Sequence, residues 1–546
     1  MSELHQPVVL TGFMGAGKSD TGAKLAQRLH RPFIDLDRQI ETETGKTIRA
    51  IFAEEGESGF RRREGEVLEA LLDPSSFEAK SPPVIATGGG ALIAHPEICR
   101  GRARVFYLSA SARTCAHRLV RSQDRPLLDR PEGVSLDSRI GELLEERVPV
   151  YRRAGIAIAT DERYPQSVVN ALAAFLGAGP FVVTSPSGPY EVHVGAGESR
   201  RLGRHLRLRP EMRELERVFV IADAAVWPIH GESITAGLVE VGIHPGVLTL
   251  PGGEPTKNRE NLAKVQDFLL EHEVDRKTPV IAVGGGVITD LAGFAAATVL
   301  RGVPFLPVPT SLLAQVDASV GGKVAIDHVC GKNLLGAFHH PMRVVIDPDL
   351  LSSLPEREMR AGWAEVVKMA ALGSPDLMRA LETAPLPLES SLVSRAIREA
   401  VGLKAEVVRA DPHEAGLRRI LNLGHTVAHA IEREAGFGTW NHGEAVAIGL
   451  VAAMRLGIRA GITEPGLDVR IGRCLTRLGL PCHAPGFAVN DLQKALRYDK
   501  KRVGGRVAWV LLRGFGDPVV TEEVETAWVD EVLRDVGEPM KLDGSA

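Results

Sequence analysis

Short apolar runs closed by glycine or an acid, each followed by a helical repeat, punctuate the first 350 residues. Val8–Leu10 reads as a buried strand and leads through a glycine-rich turn into a helical run that reaches about Leu29. Phe33–Asp37 predicts a second strand end, on which Asp35 and Asp37 alternate and so point to one side. A helix is expected to begin at Gly59, and a strand around Ile85 ends in the bare turn Gly88, Gly89 and Gly90. Ala171 to Pro189 reads as a helix tail and a Gly/Pro/Ser-rich passage, and the alternation of Tyr190–Val194 then predicts a strand. Val218–Asp223, Gly246–Leu250 and Pro279–Val283 read as further strands, with a helical pattern from Lys257 to about His272. Strands that alternate with helices in this way predict an α/β array with a parallel sheet. Beyond Leu354 the texture changes to long helical periodicity.

These patterns divide the chain. Residues 1–177 are expected to form a phosphate-loop domain with a parallel sheet, 178–350 an α/β nucleotide-binding domain, and 351–546 a mainly helical, even all-helical, metal and substrate domain. A length of 546 residues agrees, being too great for one core. Hydrophobic residues at 44% and charged residues at 25% exclude disordered, fibrous and membrane classes. A net charge of -4 gives no reason to expect nucleic acid as a partner. The five cysteines include no CxxC pair, which argues against a disulfide framework and fits a reducing cytoplasm. The N-terminus has no signal-peptide pattern, and no apolar run long enough to cross a membrane occurs.

Candidate chemistry begins at Gly12–Ser19, which reads GxxxxGKS between a predicted strand and helix. Gly15 and Gly17 let backbone N–H groups wrap phosphates, Lys18 neutralises their oxygens, and the Ser19 hydroxyl can ligate Mg²⁺. One of Asp35 and Asp37 can order the magnesium waters while the other accepts from a substrate hydroxyl. The motifs GFMGAGKS, FIDLDRQIE, FRRRE, ATGGGAL, DRPLL and ERVPVYRRA, in that order, resemble shikimate kinase over the whole first segment. That resemblance implies a shikimate site of Asp37, Arg61, Gly89, Gly90 and Arg147, and Mg²⁺ at Ser19 and Asp35. It also implies a lid Arg125 that reaches the transferred phosphate, and Arg118 near the adenine. Two arginine forks and a carboxylate acceptor suit a substrate with one carboxylate and several hydroxyls. Asp20 departs from the family, which more often has a small hydroxyl residue there, and a slightly weaker nucleotide affinity is expected.

The second segment is organised around Ala282–His340. Gly284, Gly285 and Gly286 follow an apolar strand into a helix whose first N–H groups can receive a pyrophosphate, although no GxGxxG fingerprint is present. Lys323, Lys332 and Asn333 supply cations and an amide for a small oxygenated anion. Further on, Glu365 and Lys368 share one helix face, His425 and His429 another, and His442 opens a third helix. A lone helical histidine is more often a satisfied core residue. One glutamate and two histidines from separate helices, however, would give a divalent ion three ligands and leave positions open for substrate.

PGGEPTK, GGGVITDLAGFAAAT, RGVPFLPVPTSLLAQVDASVGGK, GKNLLGAFHHP, WAEVVK, LNLGHTVAHAIE, HGEAVAIG and YDKK resemble 3-dehydroquinate synthase from about residue 190 to 515. The resemblance implies Zn²⁺, or Co²⁺, on Glu365, His425 and His442. It implies an NAD⁺ site of Asp223, Glu254, Lys257, Gly285, Gly286, Asp290, Thr310, Ser311 and Lys332. Around the substrate it implies Asp317, Arg301, Lys323, Asn333, Lys368, Lys404, Arg418, Asn422, His429 and Lys500, with His429 relaying protons; a homodimer through this half is also implied. Thr289 stands where many members have glycine. A bifunctional cytoplasmic enzyme of aromatic precursor synthesis is therefore expected, acting on small molecules with ATP, Mg²⁺, NAD and zinc. The rival readings are a metal-dependent NAD alcohol dehydrogenase, disfavoured by the clustered cations, another sugar-phosphate cyclase, and a first segment that only senses nucleotide.

Overall fold

The computed structural model describes residues 6–78, 81–119, 135–412, 416–436, 440–500 and 507–538, with only the backbone for 497–500. The chain falls into two compact units. One is Met1–Gly179 with Ala370–Ala380 and Gly514–Asp517; the other is Pro180–Met369, Leu381–Arg513 and Pro518–Ala546.

In the first unit β1 (Val8–Thr11), β2 (Phe33–Asp35), β3 (Val84–Ala86), β4 (Arg104–Ser109) and β5 (Ile156–Ala159) form a parallel sheet in the order β2-β3-β1-β4-β5. Alternate residues face opposite layers. Val9, Ile85 and Val105 join the cluster of Leu36, Ile40, Ile51 and Phe60, while Phe106 meets Phe175 with ring centroids 5.9 Å apart. Each such side chain contributes about 1.5–3 kcal/mol by burial.

Two expectations are corrected here. The second strand stops at Asp35, which caps the helix Leu36–Thr44 by accepting from Arg38 N, so Asp37 sits in a helical first turn and not on a strand. The capping preference of aspartate outweighs strand continuation at that point. The FRRRE run lies inside the helix Ile48–Leu71, whose second arm starts before Gly59 because Gly56, with φ of 70°, interrupts it.

In the second unit β8 (Arg217–Asp223), β9 (His244–Leu250), β10 (Val280–Gly284) and β11 (Phe305–Pro309) form a parallel sheet in the order β11-β10-β8-β9. Val280 pairs with Phe219 and Ile281 with Val220. In that register Phe219, Ile221, Val280 and Ala282 pack one core, and Val218, Val220, Ile281 and Val283 pack the other. Both faces are therefore buried, as near-continuous apolar strands require. β6 (Phe181–Val183), β7 (Tyr190–Val194) and β14 (Arg343–Ile346) make a separate three-stranded sheet, and β12 (Lys323–His328) pairs antiparallel with β13 (Gly331–Phe338). After residue 354 the elements are helices with one antiparallel pair, β15 (Trp509–Leu512) and β16 (Pro518–Thr521). Among the described residues no helix is long and apolar enough to cross a membrane.

Candidate functional sites

The phosphate loop follows β1, between its neighbours β3 and β4, and ends at the helix Lys18–Leu29. Gly15 and Gly17 have φ of 81° and 92°, a conformation in which most side chains are strained. Lys18 Nζ folds back onto the carbonyls of Gly12 at 2.9 Å and Phe13 at 3.1 Å. Ser19 Oγ donates to Asp35 Oδ2 at 2.6 Å, so the two expected magnesium residues are together. Arg118 is tied to Gly15 O at 3.1 Å and Thr160 O at 3.2 Å, beside the loop. Asp20 pairs with Lys24 at 2.7 Å on the exposed surface.

Asp37, Arg61, Gly89, Gly90 and Arg147 gather near this loop. A β-carbon on Gly88 would lie 3.0 Å from Asp37 Oδ1, and one on Gly90 would collide with the Arg61 guanidinium at 2.3 Å. Gly89 presents its carbonyl to the Tyr151 hydroxyl. Arg147 stacks over Phe13 with 5.7 Å to the ring centroid, and its Nη1 is buried without a hydrogen-bond partner among the described residues. Glu64, overlooked in the sequence, is wholly buried and accepts from Arg61 Nη1 at 2.6 Å. Burial raises its pKa while Arg61 opposes. Its place three residues after Arg61 on one helix was the available signal. Arg125 lies outside the described residues.

In the second unit Asp223, Glu254, Gly285, Gly286, Thr310 and Ser311 all stand at, or follow, the carboxyl ends of the four parallel strands. That edge is where open α/β sheets take ligands. Gly285 caps the helix Gly286–Thr298, and a β-carbon on it would lie 3.4 Å from Ser311 Oγ. The helix start therefore presents backbone N–H groups to an open edge. Lys257 is buried against Asp290 Oδ2 at 2.5 Å and also reaches Asn333 Oδ1. Burial raises the Asp290 pKa against that lysine. Lys332 stands 3.9 Å from Glu254 and 3.3 Å from Glu432. Lys257 and Asn333, expected on different ligands, thus share one polar group. Thr289 is buried and its hydroxyl has no partner among the described residues.

Glu365, on the helix Glu356–Gly373, is 1% exposed and ion-paired to Lys368, itself 1% exposed. His425 opens the helix His425–Glu434, and His442 opens His442–Arg459 behind a capping box of Asn441 and Glu444. Two close backbone approaches bring these elements together. A β-carbon on Gly443 would lie 2.0 Å from Ala361 O, and one on Gly449 would lie 2.0 Å from Gly424 O. Gly443 adjoins His442 and Gly424 adjoins His425, so any larger residue would push one of these histidines out of the group.

The result is a triad in which Glu365 Oε1 is 3.5 Å from His425 Nε2 and 3.6 Å from His442 Nε2. Bonds of about 2.1 Å around a tetrahedral zinc imply donor separations of about 3.4 Å. Glu365 Oε2 is taken by the Lys368 ion pair and Oε1 has no hydrogen-bond partner among the described residues, so Oε1 with the two imidazoles fits a divalent ion. His425 Nδ1 lies 3.1 Å from Leu423 O, which fixes the tautomer with Nε2 free to ligate. Burial, with Lys368 adding, pushes His425 down to about 3, so it stays neutral. Burial pulls His442 down too, but Glu365 and Glu432 outweigh it and hold it at about 10. Glu432 is the second overlooked residue: its Oε1 is 3.4 Å from His442 Nδ1, seven positions after His425 on the same helix.

Around the triad Lys368, Lys404 and Arg418 are buried cations. Lys404 Nζ donates to Asp317 Oδ1 at 2.6 Å, and Arg418 Nη1 donates to Pro412 O at 3.1 Å. Burial pushes the Lys404 pKa down, with Lys368 and Arg418 adding and Asp317 opposing. Burial pushes Asp317 up, but Lys404 and Lys368 outweigh it and lower its pKa. Asn422 ends the turn Leu417–Asn422 just before His425. His429 is exposed, its ring centroid 5.6 Å from that of His425. Lys323 is exposed at the start of β12, and Arg301 is exposed with φ of 65°. The Lys500 side chain lies outside the described residues.

Residues 14–176 match the shikimate kinase family. Residues 247–361 match the 3-dehydroquinate synthase N-terminal family and 362–502 its C-terminal counterpart. A 3-dehydroquinate synthase of Symbiobacterium thermophilum is 44% identical over 353 residues, 63% of this chain and 98% of that one. One from Pelobacter propionicus is 46% identical over 334 residues, 61% and 92% of the two chains. Among solved structures, ValA, a 2-epi-5-epi-valiolone synthase of Streptomyces hygroscopicus subsp. jinggangensis with NAD⁺ and Zn²⁺ bound, superposes with a TM-score of 0.57 at 28% identity, covering 64% of this chain and 96% of that one.

Proposed function

Because the chain belongs to the 3-dehydroquinate synthase family and carries a shikimate kinase domain before it in sequence, we propose that it catalyses two separate reactions of the shikimate pathway. One is ATP-dependent phosphorylation of shikimate to shikimate 3-phosphate. The other is conversion of 3-deoxy-D-arabino-heptulosonate 7-phosphate to 3-dehydroquinate with release of phosphate, dependent on NAD⁺ and Zn²⁺ or Co²⁺. The observation that carries the second reading is the Glu365, His425 and His442 triad with 3.5 and 3.6 Å separations beside three buried cations.

Glu365, His425 and His442 hold the metal, and the edge formed by Asp223, Glu254, Gly285, Gly286, Thr310 and Ser311 holds the dinucleotide, with Lys257, Asp290 and Lys332 beside it. When bound, these groups supply Lewis-acid polarisation of a ring hydroxyl and a reversible store for its hydride. Lys368 neutralises the buried Glu365 charge, and Glu432 orients His442 through Nδ1. Lys404 and Arg418 face the carboxylate and phosphate of the substrate, and Lys323, Asn333, Arg301, Asn422 and Lys500 complete its surroundings. Asp317 stays ionised against Lys404 and orients the substrate. His429, one helical turn from His425, exchanges the hydroxyl proton.

In the kinase half Lys18 and the loop N–H groups hold the phosphates, and Ser19 with Asp35 orders Mg²⁺. Asp37 accepts from the attacking hydroxyl, and Arg61, kept in place by Glu64, grips the substrate carboxylate with Arg147. Arg125 reaches the transferred phosphate and Arg118 flanks the nucleotide. Cytoplasmic residence follows from the use of ATP and NAD⁺ and suits the free cysteines.

The test uses the purified full chain. Heptulosonate 7-phosphate with NAD⁺ and Zn²⁺ is expected to release phosphate and form 3-dehydroquinate, and shikimate with MgATP to release ADP. Absence of dehydroquinate alongside turnover of another sugar phosphate would replace the cyclase assignment; absence of ADP would reduce the first half to a nucleotide-binding module.

A further inference from the structure

A second group of metal-ligating side chains stands apart from the triad. His193 in β7, Glu198 in the turn after it and His205 in the short helix Leu202–Arg207 each offer one donor atom, and these atoms lie within 4.8 Å of one another. Neither proposed reaction uses any of them.

Hydrogen bonding inside the group leaves a deficit. His205 Nε2 is 2.7 Å from Glu198 Oε2, and His193 Nε2 is 3.0 Å from Glu191 Oε2. The two rings meet edge to face with centroids 4.5 Å apart. His205 is only 6% exposed, and its Nδ1 is buried with no hydrogen-bond partner among the described residues.

The backbone that presents these donors is held firmly. Asp347 accepts from Gly197 N at 3.0 Å, Ser199 N at 3.0 Å and Ser199 Oγ at 2.5 Å, and Gly195 N donates to Ile346 O at 3.0 Å. His193 itself is in register with Val345 of β14. Local charge also permits a cation: Arg343 is paired with Glu191, and Arg201 takes Glu198 Oε1 at 3.0 Å, leaving Oε2 towards His205. The His193 side chain is 19% exposed, so the group is not sealed from solvent.

We propose that His193, Glu198 and His205 form a second divalent transition-metal site, for an ion of the Zn²⁺ or Co²⁺ class, that ties β7 to the helix Leu202–Arg207. Two imidazoles and one carboxylate are the donors such ions prefer. The site is structural and stands independently of the two reactions proposed above.

Co²⁺ titration of the full chain, stripped with chelator and kept free of nucleotide, tests this through bound equivalents after equilibrium dialysis and through the visible absorption of the bound ion. Two equivalents are expected. His193→Gln should lose one and keep the cyclase rate within about twofold, because the protein stays folded and its triad intact. Glu365→Gln should lose the other equivalent along with cyclisation. Glu198→Gln, nearly isosteric, repeats the first loss should His193→Gln prove unstable by circular dichroism. One equivalent in the unmodified chain, or two retained in both His193→Gln and Glu198→Gln, overturns the proposal. Thiolate charge-transfer absorption from the second ion overturns it too, by moving that ion to a cysteine.

Discussion

The phosphate loop and the proposed metal triad solve the same problem, holding charge in a fixed place, by opposite routes. Gly12 to Ser19 is contiguous, and its geometry is made by its own backbone: positive φ at Gly15 and Gly17, then a helix start at Lys18. The triad draws on Glu365, His425 and His442, and nothing in the backbone beside any one of them creates the site. It exists because Gly443 and Gly449 let helices approach to van der Waals limits against Ala361 and Gly424. A local site should tolerate distant change and fail only at its own residues. An assembled site should fail wherever the assembly is forced apart.

The largest effects test whether the two sites are separable at all. Glu365→Gln removes a proposed ligand and is expected to lower cyclisation by about 10³-fold, the scale of losing one preorganised charge-stabilising group. Shikimate phosphorylation should be unchanged. Lys18→Ala should mirror this, with phosphorylation reduced by about 10³-fold or more and cyclisation intact. Both rates measured on each variant decide the matter, and a joint loss in either would tie the sites together.

Gly443→Ala sharpens the contrast, because it changes no side chain of the proposed triad. Its β-carbon would meet Ala361 O at 2.0 Å, and overpacking of this kind costs about 1–3 kcal/mol. We expect looser zinc binding and slower cyclisation, with the kinase rate untouched. Gly45→Ala in the first unit is the control: φ is 66° with open space around it, so only backbone strain of about 1–2 kcal/mol is expected, without loss of phosphorylation. Equal zinc affinity in Gly443→Ala and the unmodified chain, by competition with a chromogenic chelator, would remove the close approach from the account. Glu432→Gln comes next. It leaves His442 in place but withdraws the carboxylate 3.4 Å from Nδ1, and a loss of about 10–100-fold in zinc affinity is expected from a partner of this type.

The same contrast explains what could be read from the chain. The strand, loop and helix around Lys18 were legible because the motif is its own context. The sheet was legible because Val218–Ala222 and Pro279–Val283 are apolar throughout, as strands covered on both faces must be. Asp37 was misplaced by one structural class because FIDLD alternates like a strand, while the capping competence of Asp35 is invisible to periodicity. Helical spacing could pair His425 with His429 but could not choose His442 as the third member of the triad; that choice came from family resemblance, and the three side chains lie together. Glu64 had a signal, its i,i+3 spacing from Arg61 on one helix, that went unused; Glu432 and the His193, Glu198 and His205 group went unseen because their grouping is set by packing between elements, which no spacing along the chain records.

The smallest effect concerns a departure within the local motif. Asp20 places a negative charge two residues after Lys18, where an acid suits the helix dipole but repels phosphate. Its partner Lys24 at 2.7 Å offsets part of that charge, and both side chains are well exposed. Exposed pairs of this kind contribute about 0.3–0.5 kcal/mol, and salt screens what remains. Asp20→Ser should therefore lower the KM for ATP by no more than about threefold at low ionic strength, and the difference should fade as salt is added, since both terms act through solvent. A tenfold gain that persisted in salt would mean that the Asp20 charge reaches the phosphates through the protein. The loop would then depend on its flanking helix much as the triad depends on its packed glycines, and the division between a local and an assembled site would not hold.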